Sequence, residues 1–429
     1  MIVHSWGRLS AEEHRVTLLH DPGNVAALLA RDRPGIAYGL GRSYGDACLS
    51  PGATLWRTTG LDHLLAFDPQ SGLLHCEAGV SLREIQRLFA PRGWLLPVTP
   101  GTQWITVGGA IANDVHGKNH HRQGSFADHV AGLRLVRSDG TVIDCGPDSG
   151  SDWFAATVGG IGLTGLIVSA WLQLRRADSV WLETETLPYA SLAEFFALAD
   201  ASEAGWEHTV SWIDCFSRAG RGIFLRANPL AGEPVPSHAR ERRMPFTPPF
   251  SLVNRVSLPL FNAFYHAVHS RQAGSLRRAG YEAFSYPLDH LLEWNRLYGP
   301  RGFYQYQCLV PRRDGLAAVQ AMLDAIVRAR EGSFLAVLKT FGQRGSRGML
   351  GFPQPGVTLA LDFPNRGART HRLFASLDAI VREAGGRLYL AKDARMPRAL
   401  FEAGYPRLEE FRRYRDPGMR SGMSARLID

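Results

Sequence analysis

The sequence predicts an α+β protein, and three observations carry that prediction. Short alternating apolar runs such as AGLRLVRSDGTVIDC, turning at Ser138, Asp139 and Gly140, read as paired strands. Runs with helical spacing stand between them: Leu82, Ile85, Leu88 and Phe89 recur on one face before Pro91 and Gly93 end the pattern. From about Arg176 the texture changes to aromatic strands and longer amphipathic helices, which places a domain boundary there.

Composition narrows the class. A chain of 429 residues, 45% hydrophobic and 21% charged, is globular and long enough for roughly two to three domains. The net charge of +8 suits an anionic partner, but the arginines are dispersed and no lysine-rich run appears. No nucleic-acid partner is expected; phosphate-bearing small molecules or an anionic lipid surface fit the charge equally. Cys48, Cys76, Cys145, Cys215 and Cys308 lack CxxC spacing, so reduced, mostly buried thiols are expected, with no disulfide and no zinc site. The N-terminal MIVHSWGRLSAEEH has neither the charged head nor the apolar body of a signal peptide, and no run is apolar enough for a membrane helix. The expected location is the cytoplasm. One bias stands out: only Lys118, Lys339 and Lys392 among the 48 basic residues are lysine. A lysine is a compact charge with a tunable pKa, suited to proton transfer or to stabilising a developing anion.

In chain order, residues 22 to 32 read as a short amphipathic helix. PGIAYGLGRSYGD then rises as a strand into a loop where Gly39, Gly41 and Gly45 bracket Arg42, Ser43 and Tyr44. Such a loop is either an ordinary turn or a nest of N–H donors for a pyrophosphate. The stretch PVTPGTQWITVGGAIANDVHGKNHHRQGSF follows, and the rest of the chain is organised around it. Gly108 and Gly109 offer close backbone approach to a phosphate, and Asp114, His116, Lys118 and His120 place titratable groups just downstream. His116, His120 and His121 have ligand-like spacing, yet Gly117 interrupts the helix and no metal is expected. Gly160, Gly162 and Gly165 match GxGxxG, but here the helix SDWFAATV, with a Ser/Asp cap, precedes the loop and the strand LIVSAWLQL follows. That order is the reverse of a dinucleotide fingerprint.

Residues 229 to 260 are proline-rich, with Arg240, Arg242 and Arg243 beside Phe246, Phe250 and Leu252; this is either a loop or a flap that touches lipid. GFYQYQCLVP, FLAVLKTFG and VTLALDFP alternate as strands of one sheet, placing Gln305 and Gln307 on one side. GLAAVQAMLDAIVRAREG and RTHRLFASLDAIVREAGG are amphipathic helices, and GGRLYLAKDARM puts Lys392 just after a strand.

GLGRSYGD, PGTQWITVGGAIANDVHGKNHHRQGSF, ATVGGIGLTG, PLDHLLEWNRLYGPRGFYQYQ, FLAVLKTFG and GGRLYLAKD occur in this order over nearly the whole chain. On these motifs the chain resembles the vanillyl-alcohol-oxidase type of FAD-linked oxidoreductases. The resemblance implies a PCMH-type FAD-binding domain of residues 1–175, completed by a C-terminal segment of residues 387–429. A substrate-binding domain of residues 176–386, an antiparallel sheet flanked by helices, is inserted between them.

By the same resemblance FAD is held by Gly39, Gly41, Arg42, Ser43, Tyr44, Gly45 and Asp46, and by Gly101, Thr106, Val107, Gly108, Gly109, Asn113, His116 and Gly117. Gly162, Ile167 and Tyr389 lie nearby. Relatives that tether flavin carry a histidine where Arg42 stands, so non-covalent FAD is implied. The catalytic residues implied are Lys392, His116, Lys118 and Tyr44, with Trp212, Gln305, Gln307, Lys339, Lys118 and Lys392 binding substrate. Which group removes the hydroxyl proton is open, with His116 and Lys118 first to test. The implied reaction oxidises the ribose 2'-hydroxyl of polyprenylphosphoryl-β-D-ribose to a ketone, the first half of an epimerisation to the arabinose lipid for cell-envelope glycans. An NADH-dependent keto-reductase partner would complete it, with the oxidase peripheral at the inner membrane. Some members carry a cysteine where Ala360 stands, and a Tyr-His pair where Ser285 and Tyr286 stand. Two other readings are open: a soluble FAD-linked sugar, alditol or aldonolactone oxidase, and a non-catalytic flavin-binding subunit of a glycan-assembly complex.

Overall fold

The strand signals resolve into three principal sheets in the computed structural model, which describes residues 1–232 and 241–429. A parallel sheet has the order Arg15–Leu18, Thr54–Arg57, Gly35–Tyr38. An antiparallel sheet runs Val142–Cys145, Val130–Val136, Leu166–Gln173, Leu73–Glu77, Leu64–Phe67. The predicted hairpin is the first pair of the latter, with Val136 opposite Val142. Alternation explains its core: Leu133, Leu135, Ala170, Leu172, Leu74 and Cys76 are buried together against Phe154 and Ile111. Each fully buried leucine is worth about 1.5–3 kcal/mol relative to exposure.

The third sheet has eight strands, all pairs antiparallel: Leu276–Gly280, Trp181–Tyr189, Gly222–Leu230, His208–Ile213, Ala336–Phe341, Gly356–Pro364, Phe303–Val310 and Arg387–Leu388. Its period-2 side chains divide the molecule. On one face Phe224, Ala336, Leu338, Leu359, Leu361, Tyr306 and Cys308 join the core with residues of the helices Leu192–Glu203, Gly315–Ala329 and Ala368–Glu383. On the other, Trp212, Val337, Lys339, Thr358, Ala360, Gln305 and Gln307 face a cavity.

The carboxy-terminal chain returns through this sheet. Arg387–Leu388 pairs with Leu309 and Cys308 as its last strand, and the following turn docks on the first glycine loop. The Tyr44 N–H donates to Ala391 O at 3.0 Å, and Arg426 bridges Asp46 and Asp393 at 2.9 and 3.0 Å.

Several local expectations are corrected. The helix Ser151–Thr157 starts from left-handed Gly150 (φ 63°) without a side-chain cap, because the turn leaving the hairpin requires a left-handed residue at that position. Part of the proline-rich stretch is ordered structure: Arg242–Arg243 pairs in parallel with Leu291–Leu292, and Ser257–Ser270 is a helix. Arg240 lies outside the described residues. Among the described residues no helix is long and apolar enough to cross a membrane.

Candidate active site

A cavity of about 760 Å3 opens where the glycine loops, the eight-stranded sheet and the carboxy-terminal turn meet. It gathers residues from both ends of the chain: Gly39, Gly41, Arg42, Ser43 and Tyr44; Gly101, Thr106, Gly108, Gly109, Asn113, His116, Gly117 and Lys118; Gly162 and Ile167; Trp212, Gln305, Gln307 and Lys339; Tyr389 and Lys392. Three residues expected at a cofactor stand behind it instead. Val107 is buried in the apolar core, and Asp46 is the Arg426 partner. Gly45 is there for space, since a Cβ would come within 2.7 Å of Ala394 Cα.

The chain's three lysines all line this cavity, half-buried and ringed by protein. Lys118 donates to the Phe284 carbonyl and lies over its ring, 4.6 Å from the centroid. Burial, with Lys339 nearby, brings its pKa down to about 7. Lys339 donates to Gly117 O at 3.2 Å, and burial and Lys392 bring it to about 8. Lys392 lies 4.0 Å from the Tyr44 ring centroid. Burial pulls its pKa down while Asp362 holds it up. The low-dielectric setting makes each of these charges costly and responsive to its neighbours.

His116 is caged by Phe341, Phe352 and Tyr389 with ring centroids 4.9–5.5 Å away. Gln307 Nε2 donates to its Nε2 at 3.1 Å, and burial together with Lys339 holds its pKa well below the usual value. The ring is a neutral, committed acceptor. Asp114 and His120 are turned away from the cavity: Asp114 accepts from Ser346 Oγ at 2.5 Å and the Ala127 N–H at 3.2 Å, while His120 stacks on Phe341 at 4.2 Å. The expected reactive edge therefore reduces to His116 and Lys118.

The expected phosphate donors also move. The N–H groups of Gly108 and Gly109 are already bonded, to Ala78 O at 2.8 Å and Thr106 Oγ1 at 3.2 Å. Among the described residues no protein acceptor is found for the N–H groups of Gly41 (φ 63°) and Arg42. The nest is the first glycine loop, with the Arg42 guanidinium 4.1 Å over Trp6 and its Nε bonded to Trp104 O at 3.1 Å.

A curated relative, decaprenylphosphoryl-β-D-ribose oxidase of Mycolicibacterium smegmatis, is 36% identical across 96% of this chain and 92% of its own length. The chain belongs to that oxidase family. An uncharacterised Streptomyces coelicolor protein is 34% identical over 78% of this chain and 95% of its own length. The human Δ(24)-sterol reductase is 30% identical over 26% of this chain and 22% of its own length. Residues 23–146 match the FAD binding domain family. This oxidase is an FAD-linked oxidoreductase of α+β architecture.

The residues present fit that cofactor: a nest of N–H groups with no protein acceptor among the described residues, an arginine beside it, and a glycine loop packed so closely on the 101–117 run that a Cβ at Gly39 would lie 2.5 Å from Thr106 Oγ1. Sequence reasoning missed two carboxylates in this region of the oxidase. Asp289 accepts from the Gln103 N–H at 2.8 Å and burial raises its pKa to about 6; it stands in the PLD motif already noted. Asp362 lies under the cavity face of VTLALDFP, where alternation with Thr358 and Ala360 would have placed it.

Proposed function

We propose that the chain catalyses FAD-dependent oxidation of the ribose 2'-hydroxyl of polyprenylphosphoryl-β-D-ribose to the 2'-keto sugar. Oxidation of an alcohol needs a hydride acceptor, a proton acceptor and positive charge where negative charge accumulates. Bound FAD, held non-covalently by the Gly39–Tyr44 loop, the 101–117 run, Gly162, Ile167 and Tyr389, supplies the first.

Lys118 is the residue matched to the second, because an amine near pKa 7 is about half unprotonated at neutral pH, where an ordinary lysine is almost wholly charged. Lys392 supplies the positive charge, with Tyr44 beneath it. Gln305, Gln307, Lys339 and Trp212 orient the sugar. His116 serves by holding Gln307, since its Nε2 is already engaged.

The observation that carries the reading is the convergence of all three lysines and both glutamines on one cavity beside an N–H nest, in a chain that shares 36% identity with a decaprenylphosphoryl-ribose oxidase. A membrane-surface role is supported by the rim. Tyr265 and His269 of the helix Ser257–Ser270 line the cavity, Phe264 and Leu260 of the same helix stand 69% and 67% exposed, and Phe246 and Phe250 of the preceding stretch are exposed as well. We place the protein peripherally at the inner membrane, with an NADH-dependent keto-reductase consuming its product.

The test is anaerobic mixing of the yellow protein with farnesylphosphoryl-ribose and, separately, with free sugars. Bleaching of the flavin by the lipid substrate is expected. Bleaching by free sugars alone would favour a soluble sugar oxidase, and none by either would overturn the reading.

A further inference from the structure

The rim of the cavity carries a cation that the reaction described so far does not use. Among the described residues, Arg42, Lys118, Arg243, Lys339 and Lys392 are the lysines and arginines that line the cavity. Four of them are engaged by the protein itself: Arg42 by Trp104 O and the Trp6 ring, Lys118 by Phe284, Lys339 by Gly117 O and Lys392 by the Tyr44 ring. Arg243 is the fifth. It is exposed, and among the described residues its guanidinium has no hydrogen bond, ion pair or aromatic partner. The carboxylates close to it are committed elsewhere. Glu293 pairs with Arg296 at 2.9 Å, Asp289 accepts from the Gln103 N–H at 2.8 Å, and Glu241 pairs with Arg83.

The main chain fixes where this cation stands. Arg242–Arg243 pairs in parallel with Leu291–Leu292; the Arg242 N–H donates to His290 O at 2.7 Å and the Met244 N–H to Leu292 O at 3.0 Å. Leu291 and Leu292 line the same cavity, and Leu291 packs in one cluster with Leu258 of the helix Ser257–Ser270. That helix also reaches the cavity, through Tyr265 and His269. The segment following Arg243 is unusually apolar outside: Phe246, Phe250, Val256, Leu260 and Phe264 stand 61–72% exposed. An unmatched guanidinium between a polar cavity and an apolar outer surface complements an anion with a polar group on one side and an apolar chain on the other.

We propose that Arg243 recognises the phosphodiester anion of the lipid-linked sugar, holding it at the rim with the ribose inward and the prenyl chain outward along residues 246–264. The inference rests on the function proposed above and names what separates a phosphoryl-linked ribose from a free sugar at that site. The planar fork of an arginine can donate two parallel N–H bonds to the two non-bridging oxygens of a phosphodiester. Because Arg243 lines the cavity, its ligand is the anion of the bound substrate rather than a headgroup of the bilayer.

The test compares three ribosides in anaerobic reduction of the flavin-loaded protein: farnesylphosphoryl-ribose, methylphosphoryl-ribose and methyl riboside. In R243A the half-saturating concentration of both phosphodiesters is expected to rise about 10- to 100-fold. The preference for methylphosphoryl-ribose over methyl riboside should shrink by the same factor, and R243E should lose more than R243A.

An unmoved half-saturating concentration in folded R243A overturns the proposal. An equal loss on all three ribosides would mark a merely structural role and overturn it as well. So would release of flavin from R243A, which would place the residue at the cofactor. Weaker flotation of R243A with anionic liposomes, with methylphosphoryl-ribose handled as by the wild type, would assign the cation to bilayer headgroups and likewise overturn it. If neither phosphodiester bleaches the wild type, the substrate reading fails and the subsite falls with it; if both do and R243A matches the wild type, only the subsite fails.

Discussion

Replacing Gly45 with alanine tests how the carboxy-terminal turn is seated. Gly45 has φ −114° and ψ −142°, so it is not held in the left-handed region that favours glycine, and the main obstacle is space. The added Cβ would lie 2.6 Å from Ala394 Cβ and 2.7 Å from Ala394 Cα, and closer still to Asp393 O. Relief to ordinary contact distances requires a backbone displacement of about 1 Å. Such a shift lengthens the Tyr44 N–H···O=C Ala391 bond beyond bonding range, a loss of about 1 kcal/mol, and adds about 1–3 kcal/mol of overpacking strain.

The turn that moves carries Lys392. A misplacement of about 1 Å at a reacting group costs about 100-fold in rate. G45A is therefore expected to fold, to lose about 2–4 kcal/mol by denaturant titration, and to reduce its flavin with lipid-linked ribose about 100-fold more slowly in stopped flow. Gly205→Ala, at a position where an added Cβ meets nothing within 4 Å, serves as the control and should match wild type. A G45A protein with wild-type reduction rate and unchanged stability would refute the argument that the turn is held against the loop by backbone contact.

Other outcomes follow from the same geometry. Flavin reduction should rise with pH through about 7, as Lys118 loses its proton, and fall again as Lys392 loses its own near 8; K118M should abolish the rise and lower the maximum about 100-fold, measured as the reductive half-reaction across pH. Polar replacement of Phe250, Leu260 and Phe264 together should weaken flotation with anionic liposomes while leaving reduction by a short-chain lipid-ribose unchanged. Ala360 lines the cavity, so A360C should gain a thiol that iodoacetamide modifies at residue 360 and that bound substrate protects, read by peptide mass.

What the sequence made legible was whatever depends on neighbours along the chain. The 130–145 hairpin follows from its turn residues, and the common face of Gln305 and Gln307 follows from alternation. The rarity of lysine is a property of composition, and it marked three positions that the fold brings to one cavity. What stayed hidden depends on pairing across distance. Nothing local at Gly108 and Gly109 says that Ala78 O and Thr106 Oγ1 take their donors, and nothing at Gly45 announces the backbone of Asp393 and Ala394. Asp362 was within reach of the alternation argument, but a single acid near the end of an apolar strand looks like a strand terminus until its partner strand is known.

The placement of the carboxy-terminal turn also dictates an order of events during synthesis. The glycine loop leaves the ribosome early, and the insert sheet closes only when Arg387–Leu388 arrives as its last strand. Arg426, which ties the loop to the turn, emerges 380 residues after the Asp46 it holds. A nascent chain can therefore build the nest long before it can retain a flavin, and chains cut short before Arg387 should accumulate as colourless protein rather than as a weakened catalyst.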